Sequence, residues 1–244
     1  MKQYYADLHL CPNLKAPEQI LRMINKASTL GYHSVAIPFP NRSPQTEIEH
    51  LRQVCKEAGI DMVSRVDLKP RTPKELISDL RKVRRKFEIV AVMCETKEVA
   101  RQAAKDRRVD LLNFQAYDFR RRFFDVAEAE LARNALCFLE IDMRMILTSE
   151  GPARVRLLAS LRREANIAKK LHVKIVISSG VSDEMLMRKP MELASLAQLF
   201  DMDEESALEA VSKNPMAIIK RNREKLSAKF VAPGIRLVRK GKDC

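Results

Sequence analysis

The chain is 244 residues long and carries 45 Lys and Arg against 32 Asp and Glu, a formal net charge of +13. The length suits one sizeable core, and so large a cationic surplus favours a polyanionic partner, either nucleic acid or an acidic membrane surface. With 5% aromatic residues and no Trp, base stacking is excluded as the main binding device, which leaves phosphate contacts. The five cysteines, at 11, 55, 94, 137 and 244, are odd in number and show no Cys-x-x-Cys spacing. That excludes a disulfide framework and a zinc knuckle and suits a reducing cytoplasm. No signal-peptide pattern stands at Met1-Lys2-Gln3 and no apolar stretch is long enough to span a bilayer, so a cytoplasmic protein without a membrane role is expected.

In chain order, residues 3–10 predict a strand with Tyr5, Asp7 and His9 on one face. Pro12 and Pro17 interrupt it, and Ile20, Leu21, Ile24 and Ala27 then recur at helical spacing up to Gly31. A strand over 34–37 is stopped by Pro38 and Pro40. Ile48, Leu51, Cys55 and Ala58 mark a helix closed by Gly59, and a strand is predicted over 60–68. Leu76, Leu80, Val83 and Phe87 line the next helix. A strand over 89–94 leads to a short helix with Thr96 as its N-cap. Strands over 109–114 and 136–141 bracket a helix around 123–132. Val155, Leu158, Leu161, Ala165 and Ala168 form a long amphipathic helix before a buried strand at 173–177. Leu193, Leu196, Ala197 and Phe200 belong to the following helix, and Ala207, Leu208 and Val211 to another that stops at Asn214-Pro215.

Seven β-α units in succession predict parallel strands with right-handed crossovers, and at this length a TIM-like (β/α) barrel with no recognisable eighth strand. The barrel is expected over residues 1–219. From Lys220 the chain turns basic and loses periodicity, through Arg221, Arg223, Arg236 and Arg239-Lys240-Gly241-Lys242, and is expected to be a partly disordered cationic tail.

The active face of such a barrel lies at the carboxyl ends of its strands. Asp7, His9, Asp67, Glu95, Glu140 and Asp142 all fall near those ends and could hold a hard cation. Of the four histidines only His9 is placed there, however, and a zinc or multi-metal hydrolase needs more such ligands. Pairing of the carboxylates with arginines such as Arg65 and Arg144 is the preferred reading. No Gly-x-Ser-x-Gly elbow, Walker loop or dinucleotide fingerprint occurs.

Ser178-Ser179-Gly180 ends the seventh strand, with Arg188-Lys189-Pro190 close behind. That stretch reads either as a phosphate-binding turn of hydroxyls, amides and cations or as an ordinary strand-to-helix turn. Arg120-Arg121-Arg122 lies among Tyr117, Phe119, Phe123 and Phe124, where three adjacent arginines repel one another without an anion. Arg42 and Arg71 also follow strands. Together these residues predict a positive rim that contacts RNA or phosphate. The run Arg81-Lys82-Val83-Arg84-Arg85-Lys86 reads as solvated cations at a helix C-terminus.

Tyr5-Ala6-Asp7-Leu8-His9-Leu10, Ile177-Ser178-Ser179-Gly180, Arg188-Lys189-Pro190 and Asn214-Pro215, in this order and spacing, resemble the ribonuclease P protein component 3 family of archaea and eukaryotes over about nine-tenths of the chain. That family resembles the polymerase-and-histidinol-phosphatase metalloenzymes but has lost most of their metal ligands. Here Asp7-Leu8-His9 stands for the usual His-x-His, and the late Asp-x-His is missing. The resemblance implies a ribonuclease P subunit that is itself non-catalytic and supports removal of the 5′ leader from precursor tRNA. It implies that the RNA subunit carries the catalytic magnesium ions and that this chain binds no cofactor. It further implies that ribonuclease P RNA, precursor tRNA, protein component 2 and other protein subunits are partners. Ser178, Ser179, Gly180 and Arg188 are family-type positions by the same resemblance, and Asp7 and His9 a degenerate metal-site remnant. The rivals are a metal-dependent phosphoesterase built on Asp7, His9 and the strand-end carboxylates, and a sugar-phosphate barrel enzyme using the Ser179-Gly180 loop.

Overall fold

The computed structural model describes residues 3–116, 119–232 and 235–237. Seven parallel strands form one sheet in sequential order: β1 (Ala6–Asp7), β2 (Ser34–Pro38), β3 (Asp61–Leu68), β4 (Ile89–Met93), β5 (Leu111–Asn113), β6 (Phe138–Asp142) and β7 (Ile175–Ser178). The helices between them are α1 (Pro17–Thr29), α2 (Gln45–Glu57), α3 (Pro73–Val83), α4 (Lys97–Ala104), α5 (Val126–Ala135), the short α6 (Arg144–Thr148) and α7 (Gly151–Lys170). After β7 come α8 (Pro190–Ala197), α9 (Glu204–Val211) and α10 (Lys213–Leu226), then a separate antiparallel hairpin of β8 (Phe230–Ala232) and β9 (Ile235–Arg236). The result is the expected TIM-like α/β barrel, nearly closed. No eighth strand joins the sheet among the described residues, and β7 and β1 are linked instead above their ends, where Gly180 N donates to His9 O and Cys11 N to Val181 O, each at 2.9 Å.

The local reasons are those the sequence displays. Gly31 and Gly59 follow α1 and α2 with φ of +90° and +75°, the left-handed conformation that closes a helix without a Cβ penalty. Thr96 caps α4 as expected, its side chain accepting from Val99 N, and Thr72, Asp125 and Asp203 do the same for α3, α5 and α9. On each strand one set of alternate residues packs under the helices. In β3 these are Met62, Val66 and Leu68, and in β6 Leu139 and Ile141. The other set fills the barrel. At the amino ends it is apolar, with Ala36, Val63, Ile89, Ala91, Leu111, Phe138 and Val176. Towards the carboxyl ends it becomes ionic, because Arg65 and Asp67 follow Val63 at the two-residue period, and Glu140 and Asp142 follow Phe138.

The floor of the barrel differs from expectation. The helix marked by Ala207, Leu208 and Val211 ends at Val211, just before Asn214-Pro215, but that pair also lies in the first turn of a further helix, α10, where Pro has no intrahelical bond to lose. The boundary expected between 219 and 220 falls inside this helix, which crosses the amino ends of the strands. Ile218 and Ile219 enter the barrel interior. Asn214 Nδ2 donates to Ile175 O, Asn222 Nδ2 to Glu88 O, Arg221 to Asp110 and the Leu136 carbonyl, and Arg223 to Asp61 and Glu88. Lys220 is the exposed residue of the run, while Arg221 and Arg223 are structural cations rather than tail. Cys11 is half-buried, and Cys55, Cys94 and Cys137 are buried and free. Tyr117, Cys244 and the cations at 239–242 lie outside the described residues.

Candidate functional site: the ionic pocket and its rim

The inward positions of β3 and β6 and the turns after β1 and β7 meet at the carboxyl face. Arg65 is fully buried there. Its Nη1 and Nη2 donate to the two oxygens of Glu140 at 2.6 and 2.7 Å, its Nε to Asp67 Oδ1 at 2.6 Å, and Nη1 also to the Leu8 carbonyl at 2.6 Å. Glu140 further accepts from Ser178 Oγ at 2.7 Å and Asn113 Nδ2 at 2.8 Å. His9 is held at both ring nitrogens, Nδ1 against Asp142 Oδ1 at 2.8 Å and Nε2 against Asp67 Oδ2 at 3.1 Å.

An imidazole hydrogen-bonded to a carboxylate through each nitrogen is an imidazolium, since both nitrogens must donate. The energetics agree. Burial and the nearby Arg65 charge oppose the protonated ring, yet Asp142 and Asp67 together hold the His9 pKa well above its ordinary value. Burial likewise opposes ionisation of Asp67, but the Arg65 guanidinium and the His9 contact keep its carboxyl well below the usual carboxylate range. Asp142 is lowered in the same way, by His9 against its own burial. Asp7 is the exception, because burial pushes its carboxyl up despite the donors it receives.

Carboxylate pairing with arginine therefore holds for Arg65. Arg144 is exposed and makes no ion pair among the described residues, and Glu95 is exposed as well. His9, Glu140 and Asp142 bring three ligand-type atoms within 4.8 Å of one another. They do not fit a resident divalent ion, because both Glu140 oxygens are engaged by the Arg65 guanidinium and neither His9 nitrogen has a free lone pair.

The turn after β7 corrects a second expectation. Ser178, Ser179 and Gly180 are buried and do not face an external phosphate. The Ser179 amide donates to Asp7 Oδ1 and the Gly180 amide to His9 O, both at 2.9 Å, so the first strand's own groups take the place of an anion. Gly180 has φ +64°, and a Cβ there would lie 2.8 Å from Asp142 Cγ, which explains the glycine.

The rim cations divide. Arg42, Arg71, Arg121 and Lys189 are exposed and make no ion pair among the described residues, and Arg120 is exposed beside them. Arg188 is half-buried and donates through Nη1 to the Met185 and Met187 carbonyls. Arg122 does not belong to the rim at all. It is buried, bidentate on the fully buried Glu164 of α7, and donates to the Phe114 and Ala116 carbonyls. Sequence reasoning missed Asn113 and Glu164; the first was legible as a polar residue at an inward position of a strand end, the second only through its partner.

A seven-stranded barrel of enzyme architecture, with the groups at its strand tips bound to one another and a cationic rim around them, is the class of protein that fold and pocket define. The family model for RNase P subunit p30 matches residues 4–227. A ribonuclease P protein component 3 of Methanosarcina barkeri is 32% identical over 202 residues, 81% of each chain. One from Methanothermobacter thermautotrophicus is 27% identical over 225 residues, 89% of each. In solved structures, a chain of an archaeal ribonuclease P bound to mature tRNA shares the fold with a TM-score of 0.83 at 20% identity, over 97% of this chain and 99% of that one. The chain belongs to the RNase P subunit p30 family and is a protein subunit of ribonuclease P, the tRNA-processing ribonucleoprotein. No helix among the described residues is long and apolar enough to cross a membrane.

Proposed function

We propose that this subunit performs no chemistry of its own and serves the RNA subunit of ribonuclease P, which with its magnesium ions removes the 5′ leader from precursor tRNA in the cytoplasm. The carrying observation is that His9, Asp67, Glu140 and Asp142 are all committed to internal partners, so none of these four strand-tip groups is left free to act as base, acid or nucleophile. The exposed rim of Arg42, Arg71, Arg120, Arg121 and Lys189 supplies the phosphate contacts. Cations there neutralise crowded backbone charge and favour the compact RNA. Protein component 2 and the other protein subunits join the chain on that RNA.

Reconstitution tests the reading. Ribonuclease P RNA and the partner proteins, at limiting Mg2+, cleave precursor tRNA faster with this chain than without it, and the chain alone cleaves nothing. Metal-dependent turnover of a phosphate ester by the purified chain, abolished in His9→Ala, would establish the phosphoesterase in its place. A small phosphorylated ligand that raises Tm through the Ser179-Gly180 turn would establish the sugar-phosphate enzyme.

A further inference from the structure

The ionic pocket holds three buried or nearly buried carboxylates, Asp67, Glu140 and Asp142, at the tips of a parallel barrel. Such a cluster cannot stay ionised out of water without a cation among its members. Two cations stand among them, the His9 imidazolium and Arg65, and only Arg65 keeps its charge at every working pH. Its side chain is fully buried, and its nitrogens gather oxygens from three parts of the barrel: the Leu8 carbonyl beyond β1, Asp67 on β3 and Glu140 on β6. A bound metal gathers oxygens from separate elements in the same manner. The neighbouring donor set is also of the metal-binding kind, since one imidazole and two carboxylates within 4.8 Å of one another suit a first-row divalent ion.

We propose that Arg65 is the permanent cation of this pocket: it engages both oxygens of Glu140, the ligand that His9 and Asp142 would share with a divalent metal ion, so that the metal site is latent and opens when Arg65 is removed and an incoming ion displaces the His9 ring proton to solvent. A guanidinium stays charged at any working pH and cannot dissociate. The pocket is therefore filled whatever the metal supply, and the subunit neither donates nor withdraws a divalent ion in an assembly that depends on one. The inference concerns the folded chain alone and stands whether or not its rim binds RNA.

The test uses the full chain, stripped with EDTA and dialysed, with Mn2+ and Zn2+ as probes in calorimetric titration and thermal unfolding. The wild type is expected to bind no ion stoichiometrically and to keep its Tm. Arg65→Met, which retains the alkyl volume, is expected to melt lower than wild type without metal. It should then bind one ion per chain and recover at least about 3 °C, and Arg65→Met/Glu140→Gln should lose that uptake. Arg65→Ala, refolded in Mn2+, serves if Arg65→Met does not fold without metal. Three results overturn the proposal: a stoichiometric ion in the wild type that disappears in Glu140→Gln, a folded Arg65→Met that takes up neither ion, or failure of both Arg65 variants to fold even with metal present.

Discussion

Arg121 and Arg122 are neighbours in sequence with separate tasks. Arg121 is exposed, whereas Arg122 is bidentate on Glu164 and ties the segment after β5 to α7. Arg122→Ala is expected to cost about 3–5 kcal/mol, the range for stranding one member of a buried pair, read as a fall in the denaturant midpoint. Arg121→Ala should leave the midpoint in place and weaken RNA binding. His9 carries a pH signature. Its pKa is raised on folding, so the stability it contributes is complete below the unfolded value near 6.5 and is lost as pH rises through the folded value. Asp67 and Asp142 are lowered on folding, so theirs is complete above about 4 and lost as pH falls. The difference between wild-type and His9→Gln unfolding curves should therefore shrink from about pH 6.5 upward. A constant difference would show that the ring is not an imidazolium in the folded chain.

Among the elements, α10 shows most clearly what periodicity misses. Its buried positions, Asn214, Pro215, Ile218, Ile219 and Asn222, recur at helical spacing. Only two of them are aliphatic. Besides Pro215, that side of the helix carries the amides of Asn214 and Asn222 and the guanidiniums of the half-buried Arg221 and Arg223, which satisfy carbonyls and carboxylates at the strand amino ends, so the segment reads as polar although it lies against the core. Ile218→Ala is expected to cost about 2–5 kcal/mol as a fully buried truncation. Asn222→Ala should cost about 1–3 kcal/mol, because it removes the donor to the Glu88 carbonyl. Both can be measured by urea unfolding. If the chain from Lys220 onward behaved as a tail, Asn222→Ala would not move the midpoint.

For the whole molecule the decisive quantity is the charge of +13 and where it is exposed. If about five phosphates are neutralised, log affinity for RNA should fall with log salt at a slope of about −3.5 to −4.5. Replacing Arg42, Arg71, Arg121 and Lys189 together by Ala should flatten that slope by about 3 with Tm unchanged. Arg85, Lys86, Lys105 and Arg107 are exposed cations that follow α3 and α4. They lie at the amino ends of the strands, because the helices run opposite to the strands. Their joint replacement is the control, and a flattening there with none at the rim would move the RNA to the opposite face.

The order of the seven barrel strands and of the helices other than α6 and α10, the barrel class and the family were legible in the chain. Apolar periodicity, glycine stops and Thr96 are local signals, each written within a few residues of the element it governs. Which carboxylates are free, which arginines are surface and which turn can hold a phosphate were not legible. Arg65 meets Glu140 across 75 residues, Ser179 meets Asp7 across 172, and Arg223 meets Asp61 across 162. Each of these contacts turns a candidate reactive or RNA-binding group into an internal partner. A charged side chain has the same identity in either role, and only closure of the barrel brings its counter-charge within reach.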